Sequence, residues 1–292
     1  VPGVGPAFTI DGNRNIYAQQ LTSPSFTTGA DNLLIGQNAG TNLTTGDCNL
    51  FIGDQAGACT LDGIENVFIG KFAGQASRGS CNVYIGPVAG QSANPACPNT
   101  GSSNVVLGWR SGRELDTGNS NILLGALAGV LLTTGSNNTA VGEGAGNQLT
   151  TGSNNTFIGQ YSGLTAQTGL ENTFLGFQSG ENFTSAASCN VVLGSTSAST
   201  GSAVSLTGSK NILIGNNNQL TSSAVSNQVL IGNDITSGGT LPALQISSGG
   251  VTWIQGDSSG TLGVNSLVAT SDNGGVGDVV AERNVLGNSV IG

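Results

Sequence analysis

A short motif, Asn-x-x-(aliphatic)-Gly-x-x-small-Gly, recurs along most of the chain and constrains the fold more than any other feature. Residues 155–163, with the sequence NTFIGQYSG, are a typical copy. Successive copies most often start about 17 residues apart, and the exceptions are one shorter step and three longer ones. Such self-similarity at a nearly fixed period indicates stacked structural repeats rather than a single globular core.

The length of the unit selects among repeat architectures. A unit of about 17 residues is too short for a helical hairpin repeat of roughly 33 residues or for a propeller blade. The apolar runs show no helical period, and their Asn, Gly and Thr neighbours are poor helix formers. Three or four apolar residues bounded by Asn and Gly are typical of a short strand. One strand per coil, stacked on its neighbours, predicts an all-β, left-handed parallel β-roll, or β-solenoid, with coils of about 17 residues.

The three residues between Asn and Gly have apolar character on both strand faces. The third is always aliphatic, and the first, on the same face, is aliphatic or Thr. The middle residues point the other way and form a second apolar column that is either the solenoid core or a subunit interface: Leu34, Phe51, Phe68, Tyr84, Val106, Leu123, Ala140, Phe157, Phe174, Val192, Leu213 and Leu230. Because soluble monomers rarely leave so long an apolar stripe uncovered, we expect further copies of the same chain to cover whichever face points outward.

The Asn that opens each copy has a structural interpretation. Stacked Asn side chains can hydrogen-bond along a ladder, whereas a ligand site would require converging carboxylates, which the motif lacks. The predicted ladder comprises Asn32, Asn49, Asn66, Asn82, Asn104, Asn121, Asn138, Asn155, Asn172, Asn190 and Asn211, and Gln228 fills the same place in a twelfth copy.

The repeat divides the chain into three segments. Residues 1–30 are expected to form a cap or a junction to a shaft, residues 31–235 the solenoid, and residues 236–292 a further β segment, prism-like or stalk-like. At ~4.8 Å per coil, twelve coils predict a rod roughly 55–60 Å long.

Composition excludes several classes of function. The net charge is −9 and the chain has only seven Lys and Arg, so a nucleic-acid partner is not expected, because phosphate binding requires clustered cations. No apolar run approaches the ~20 residues of a membrane-spanning helix, and we expect no membrane insertion.

Catalysis is not expected either, and the sequence predicts no enzyme, metal or cofactor. The chain has no His, which removes the usual general base and the usual nucleophile–base pairs. The close acidic pairs Asp62/Glu65 and Glu114/Asp116 fall in connectors, where solvated charges are the simpler interpretation. One mixed aromatic and basic cluster, Trp109, Arg110 and Arg113, is a candidate surface for binding a glycan or simply decorates a connector.

The five cysteines predict two disulfides. Cys48 and Cys81 each precede a motif Asn, and Cys59 and Cys97 lie in the connectors that follow. The pairs Cys48–Cys59 and Cys81–Cys97 would each tie a coil to its own connector and would suit an extracellular setting. Cys189 is left over. The alternative is that the cysteines are small buried hydrophobic residues.

The repeat resembles the heads of trimeric autotransporter adhesins, of the Yersinia adhesin head type, whose Asn-Ser-Val-Ala-Ile-Gly motif lies on a left-handed parallel β-roll. Residues 155–159 (NTFIG) and 211–215 (NILIG) carry the likeness, which covers residues 32–235. The repeat unit is longer than in those heads and is similar to repeats of phage, giant-virus and bacterial surface fibres. The resemblance implies an intertwined homotrimer and an adhesive surface.

The sequence therefore predicts a module of an extracellular trimeric fibre, on a cell surface or a virion, that attaches to a host, prey or other surface. Its expected partners are copies of itself and a protein or glycan receptor. Two alternatives stay open: a purely structural shaft or filament subunit without a receptor site, and a solenoid that binds ice or glycan.

Overall fold

The computed structural model describes residues 9–18, 27–92, 99–183, 187–198, 207–220, 226–233, 236–237, 244–248, 251–256 and 262–264. Within these ranges there is no helix, and every regular element is a short strand. The strands are β1 (Thr9–Ile10), β2 (Ile16–Ala18), β3 (Leu33–Ile35), β4 (Leu50–Ile52), β5 (Val67–Ile69), β6 (Val83–Ile85), β7 (Val105–Leu107), β8 (Ile122–Leu124), β9 (Thr139–Val141), β10 (Thr156–Ile158), β11 (Thr173–Leu175), β12 (Val191–Leu193), β13 (Ile212–Ile214), β14 (Gln219–Leu220), β15 (Val229–Gly232), β16 (Thr236–Ser237), β17 (Leu244–Ser248), β18 (Val251–Gly256) and β19 (Leu262–Val264).

The strands stack into a parallel β-solenoid. Consecutive strands from β2 to β13, then β15 and β17, are parallel neighbours in one 17-stranded sheet. The register places equivalent residues beside each other, as in Thr156↔Thr173, Phe157↔Phe174 and Ile158↔Leu175. The predicted β-solenoid with coils of about 17 residues is thus confirmed.

The middle strand residues form the core of the single chain. All twelve members of the column from Leu34 to Leu230 have 0% relative exposure, so this column is not available as a subunit interface. Its aromatic members stack at the coil spacing, with ring centroids 4.8 Å apart for Phe51 and Phe68 and 5.1 Å apart for Phe157 and Phe174. The same core contains small Ala residues and connector leucines such as Leu115, Leu132 and Leu149.

The strand-end glycine, which closes the pentapeptide of each coil, permits this close stacking. Gly159 has φ +131°, and a Cβ built on it would lie 2.3 Å from the carbonyl oxygen of Gly176 in the next coil. No side chain fits there, because both the dihedral angle and the space exclude one. The backbone path of each coil therefore depends on Gly at this point.

The connectors are held by hydrogen bonds between coils as regularly as the strands are. Gly163 N donates to Ser179 O at 2.9 Å, and Tyr161 N donates to Glu143 O at 2.9 Å. Two non-glycine residues in a typical coil adopt left-handed backbone conformations, represented by Asn154 and Tyr161 with φ 60° and 57°. The turns are therefore fixed parts of the rod, with their backbone polar groups satisfied by adjacent coils.

Both ends of the sheet depart from the repeat. β1 pairs antiparallel with β2, and β2 pairs in parallel with β3, so the sheet begins inside the segment assigned to the N-terminal cap. At the other end β17 continues the parallel sheet beyond residue 235, and β18 and β19 follow as antiparallel strands. An antiparallel strand at the end of a solenoid occupies hydrogen-bonding groups that would otherwise be open to another strand.

Candidate functional site

The motif asparagines form a buried hydrogen-bonded ladder inside the rod. The Oδ1 atom of Asn138 accepts from both the backbone N and the Nδ2 atom of Asn155, each at 3.0 Å. The Nδ2 atom of Asn138 donates to Asn121 Oδ1 at 3.0 Å and to Gly152 O at 2.9 Å. With every polar atom paired within the chain, this amide has no remaining capacity for a ligand. Its role here is to join the start of each strand to the coils on either side.

The ladder also includes a residue that the motif does not predict. Asn15 Oδ1 accepts from Asn32 N at 3.0 Å, and Asn15 Nδ2 donates to Gly29 O at 2.7 Å. The copy at residues 15–18 (NIYA) lacks the strand-end glycine that defines the motif. An Asn followed by three apolar residues, one full repeat before Asn32, was the available signal.

We expect Asn138→Asp to lower the free energy of unfolding by at least ~3 kcal/mol at neutral pH. The new carboxylate keeps the acceptor but loses both donated bonds, and it places a buried charge against two carbonyl oxygens. Chemical denaturation followed by circular dichroism measures the change. The matched control is Asn137→Asp, since Asn137 is the exposed neighbour with φ 59° and Asp tolerates that conformation. Equal costs at both positions would contradict the structural role of the ladder.

The outward strand face is a long aliphatic surface. We define the outward strip as the first and third residues of strands β3 to β13 and of β15. Every one of these side chains is half-buried or exposed. Ile158 and Leu175 are 37% and 44% exposed, respectively. Three first positions are Thr, at Thr139, Thr156 and Thr173, and all the others are Val, Leu or Ile. The sequence left open which apolar face points outward. In the structure the face formed by the first and third strand residues does so.

A second surface lies where the chain turns after each strand. We define the turn face as the two residues after each strand-end glycine, from residues 37–38 to residues 216–217. Trp109 and Arg110 form one of these pairs. Trp109 is 50% exposed, and the Arg110 guanidinium lies over its ring, 5.4 Å from the centroid. Arg113 lies in the following connector and pairs with Glu114 at 3.0 Å. The structure thus places Trp109 and Arg110 of the predicted cluster together on an exposed turn and Arg113 outside it.

The four cysteines that the structure describes are thiols, contrary to the disulfide prediction. Cys48, Cys59, Cys81 and Cys189 are free, and Cys97 lies outside the described residues. Cys48 directly precedes a ladder Asn, whereas Cys59 lies in the connector past Gly57, and the coil does not bring the two together. The extracellular setting therefore gains no support from a disulfide.

Two of these thiols face carboxylates in the adjacent coil. Cys81 Sγ donates to Glu65 Oε2 at 3.4 Å, and this hydrogen bond raises the pKa of the Cys81 thiol. Desolvation, together with the hydrogen bond to Glu171 at 3.5 Å, raises the pKa of the Cys189 thiol. A raised pKa reduces the thiolate fraction and thus the reactivity of both groups.

Acidic side chains do not converge in the part of the chain that the structure describes. Glu114 is paired with Arg113, and Glu65 accepts from Cys81. Over the same residues no group of three or more His, Cys, Asp or Glu is placed to hold a metal ion. The described part also contains no helix long and apolar enough to cross a bilayer. The surfaces with distinctive chemistry are thus the outward strip and the turn face.

Comparisons with known proteins leave these surfaces to be interpreted from their own chemistry. No protein-family model matches the chain, and neither a curated protein nor a solved structure matches it.

Proposed function

We propose that this chain is the attachment module of an extracellular fibre on a cell surface or virion, and that the fibre consists of three left-handed β-rolls packed through their outward strips. The observation that carries the proposal is the outward strip itself. It is apolar along most of its length, its side chains are half-buried or exposed in the single chain, and it lies on one hydrogen-bonded sheet.

The size of the strip supports a partner that covers it. Two columns of side chains along twelve coils of ~4.8 Å give a surface on the order of 600 Å². This is at the upper limit of the apolar patches that monomers expose. It approaches the roughly 800 Å² that each partner buries in a stable protein interface.

Further copies of the chain are the partner that fits best. The strip repeats once per coil, and another copy has the same repeat and the same length, so its side chains can interdigitate along the whole rod. Closed symmetry is the usual way in which identical apolar faces are buried. Three chains around one axis bury every strip and leave the turns facing solvent. The adhesin and fibre repeats that the motif resembles support the same arrangement.

Light scattering of the full chain under native conditions tests the assembly. We expect a mass three times that of the 28.9 kDa chain. A stable monomer would overturn the trimer and would leave the outward strip available for some other surface. If the chain is a trimer but substitutions on its exposed surfaces leave target binding unchanged, the shaft subunit is favoured instead. The uniformity of the coils also supports a shaft.

A further inference from the structure

The turn face carries aromatic side chains at several heights along the rod. Phe72, Trp109, Tyr161 and Phe177 all occupy the pair of residues after a strand-end glycine. Trp109 and Phe177 are 50% and 45% exposed, and Phe72 and Tyr161 are half-buried. These rings belong to neither the core nor the outward strip, so neither the fold nor the proposed trimer accounts for them.

Backbone hydrogen bonds hold the successive turns in register. In each turn the second residue donates to the first residue of the previous coil, as Phe72 N does to Asp54 O at 2.9 Å and Gln178 N does to Gln160 O at 2.9 Å. Trp109 and Phe177 occupy the first position of their turns and lie four coils, roughly 19 Å, apart. Phe72 and Tyr161 occupy the second position and lie five coils, roughly 24 Å, apart. One coil is close to the advance of one sugar in an extended β-linked chain.

The turn face also offers amides, beside Tyr161 and Phe177 and in turns before Phe72 and after Phe177. The pairs include Gln37, Asn38, Gln55, Gln160, Gln178, Asn216 and Asn217. An amide both donates and accepts hydrogen bonds, as a sugar hydroxyl does. Exposed aromatic rings provide flat apolar faces beside these polar groups, matching the apolar C–H face and the polar edge of a pyranose.

The charges on this surface are balanced in number, since the turn face carries two cations, Lys71 and Arg110, and two anions, Asp54 and Glu143. Lys71 pairs with Asp54 at 3.3 Å, and Arg113 pairs with Glu114 at 3.0 Å. Gln160 Nε2 donates to Glu143 Oε2 at 2.9 Å. Lys71 and Arg110 also lie over aromatic rings, with centroid distances of 5.0 Å to Phe72 and 5.4 Å to Trp109. The surface therefore has no excess of either sign with which to select a charged ligand.

From this arrangement we propose that the turn face binds an extended neutral glycan along the rod axis, with Trp109 and Phe177 as its main stacking platforms. The inference rests on the proposed attachment function and gives its target a chemical class. A sulfated or uronic-acid glycan is disfavoured, because Lys71 is already paired with Asp54 and the turn face has no net positive charge. A long shallow row with amides at several heights suits a linear chain of hydroxyl-bearing rings better than a folded protein surface.

Affinity electrophoresis and fluorescence titration of the full chain test this proposal. The probes are neutral β-linked polysaccharides and their hexasaccharides, with xylan, mannan and a β-glucan as the neutral panel. Heparin is the anionic comparison. We expect retardation by at least one neutral polysaccharide, unchanged in 0.5 M salt, and a dissociation constant about tenfold weaker for Trp109→Ala and for Phe177→Ala, which corresponds to about 1.4 kcal/mol. Trp109→Phe, which keeps a ring, should lose less.

The matched control is Leu131→Ala, because Leu131 is a connector residue outside both surfaces and is 40% exposed. Light scattering on the same samples separates the two proposals. A trimer that binds no neutral glycan, or that binds one equally well after Trp109→Ala, overturns the glycan proposal and leaves the fibre intact. Salt-sensitive binding to heparin alone, or to a peptide ligand alone, overturns it as well. A monomer that still binds through Trp109 overturns the trimer and retains the glycan site.

Discussion

Gly159→Ala is expected to lower the free energy of unfolding by more than ~4 kcal/mol. The φ of +131° at Gly159 lies in a region that only glycine adopts readily. The added Cβ would also lie 2.3 Å from the carbonyl oxygen of Gly176, a backbone atom held in the sheet of the next coil. Relief of that contact requires two coils to separate, which breaks the parallel pairing on either side.

The matched control for this substitution is Gly144→Ala. Gly144 also has a positive φ, +65°, but it lies on the turn face, where other coils carry Leu127 or Tyr161 with similar angles. Its new Cβ would lie 2.6 Å from the ring of Tyr161, a half-buried side chain of the turn face that can rotate away, so we expect a loss of about 1 kcal/mol. Denaturation midpoints and protease resistance of the two variants provide the comparison. Similar losses would show that the strand-end glycine is not the limiting contact between coils.

The strand positions and the register were predictable from the sequence because one short period dictates both. Each Asn is followed by a strand of three residues and a Gly, as at residues 155–159, so stacking equivalent residues fixes every pairing. The buried asparagines could be predicted on the same basis, since the amides in a column of identical residues can hydrogen-bond to one another. The sequence could also place Trp109 and Arg110 in a turn, because they follow a strand-end glycine.

The direction of the strand faces was not predictable by alternation, because both faces are apolar. The structure resolves the choice by size: Phe51, Phe68 and Tyr84 face inward, where the opposite residues are Ala or Gly and leave room for a ring. Thr at the first strand position of β9, β10 and β11 faces outward. In the repeats, the middle strand position contains all the aromatic strand residues and no threonine, and it forms the core. This difference in composition could have identified the inward face from the sequence.

The cysteine pairing was wrong for Cys48 and Cys59 because closeness in sequence was taken for closeness in space. In a solenoid the nearest neighbours of a residue are the equivalent residues one coil away. Cys81 and Glu65 each directly precede a ladder Asn, in adjacent coils, and they accordingly contact each other. The turn face was missed for the same reason, since its aromatic residues are far apart in sequence and become a row only when the coils are stacked.

Ile158→Lys is the substitution expected to change the assembly most, by converting a trimer into monomers. Ile158 lies on the outward strip and is 37% exposed in the single chain, so a lysine there is tolerated by the coil itself. In a trimer closed through the strips, three ammonium groups would meet near the axis without counter-charges. Burying an unpaired charge costs several kcal/mol, and symmetry repeats that cost in each chain. The mass from light scattering should fall from three chains to one, with the β-sheet circular dichroism signal unchanged.

Two controls make this result specific to the strip. Ile158→Val removes one methylene and should leave the mass at three chains, because the contact stays apolar. Thr151→Lys introduces the same charge on an exposed connector and should also leave the trimer intact. If Ile158→Lys remains trimeric while the wild-type chain is a trimer, the chains pack through a different surface. In that case the turn face, with Trp109 and Phe177, is the next interface to test by the same substitution, and loss of the trimer there would exclude it as an open glycan site.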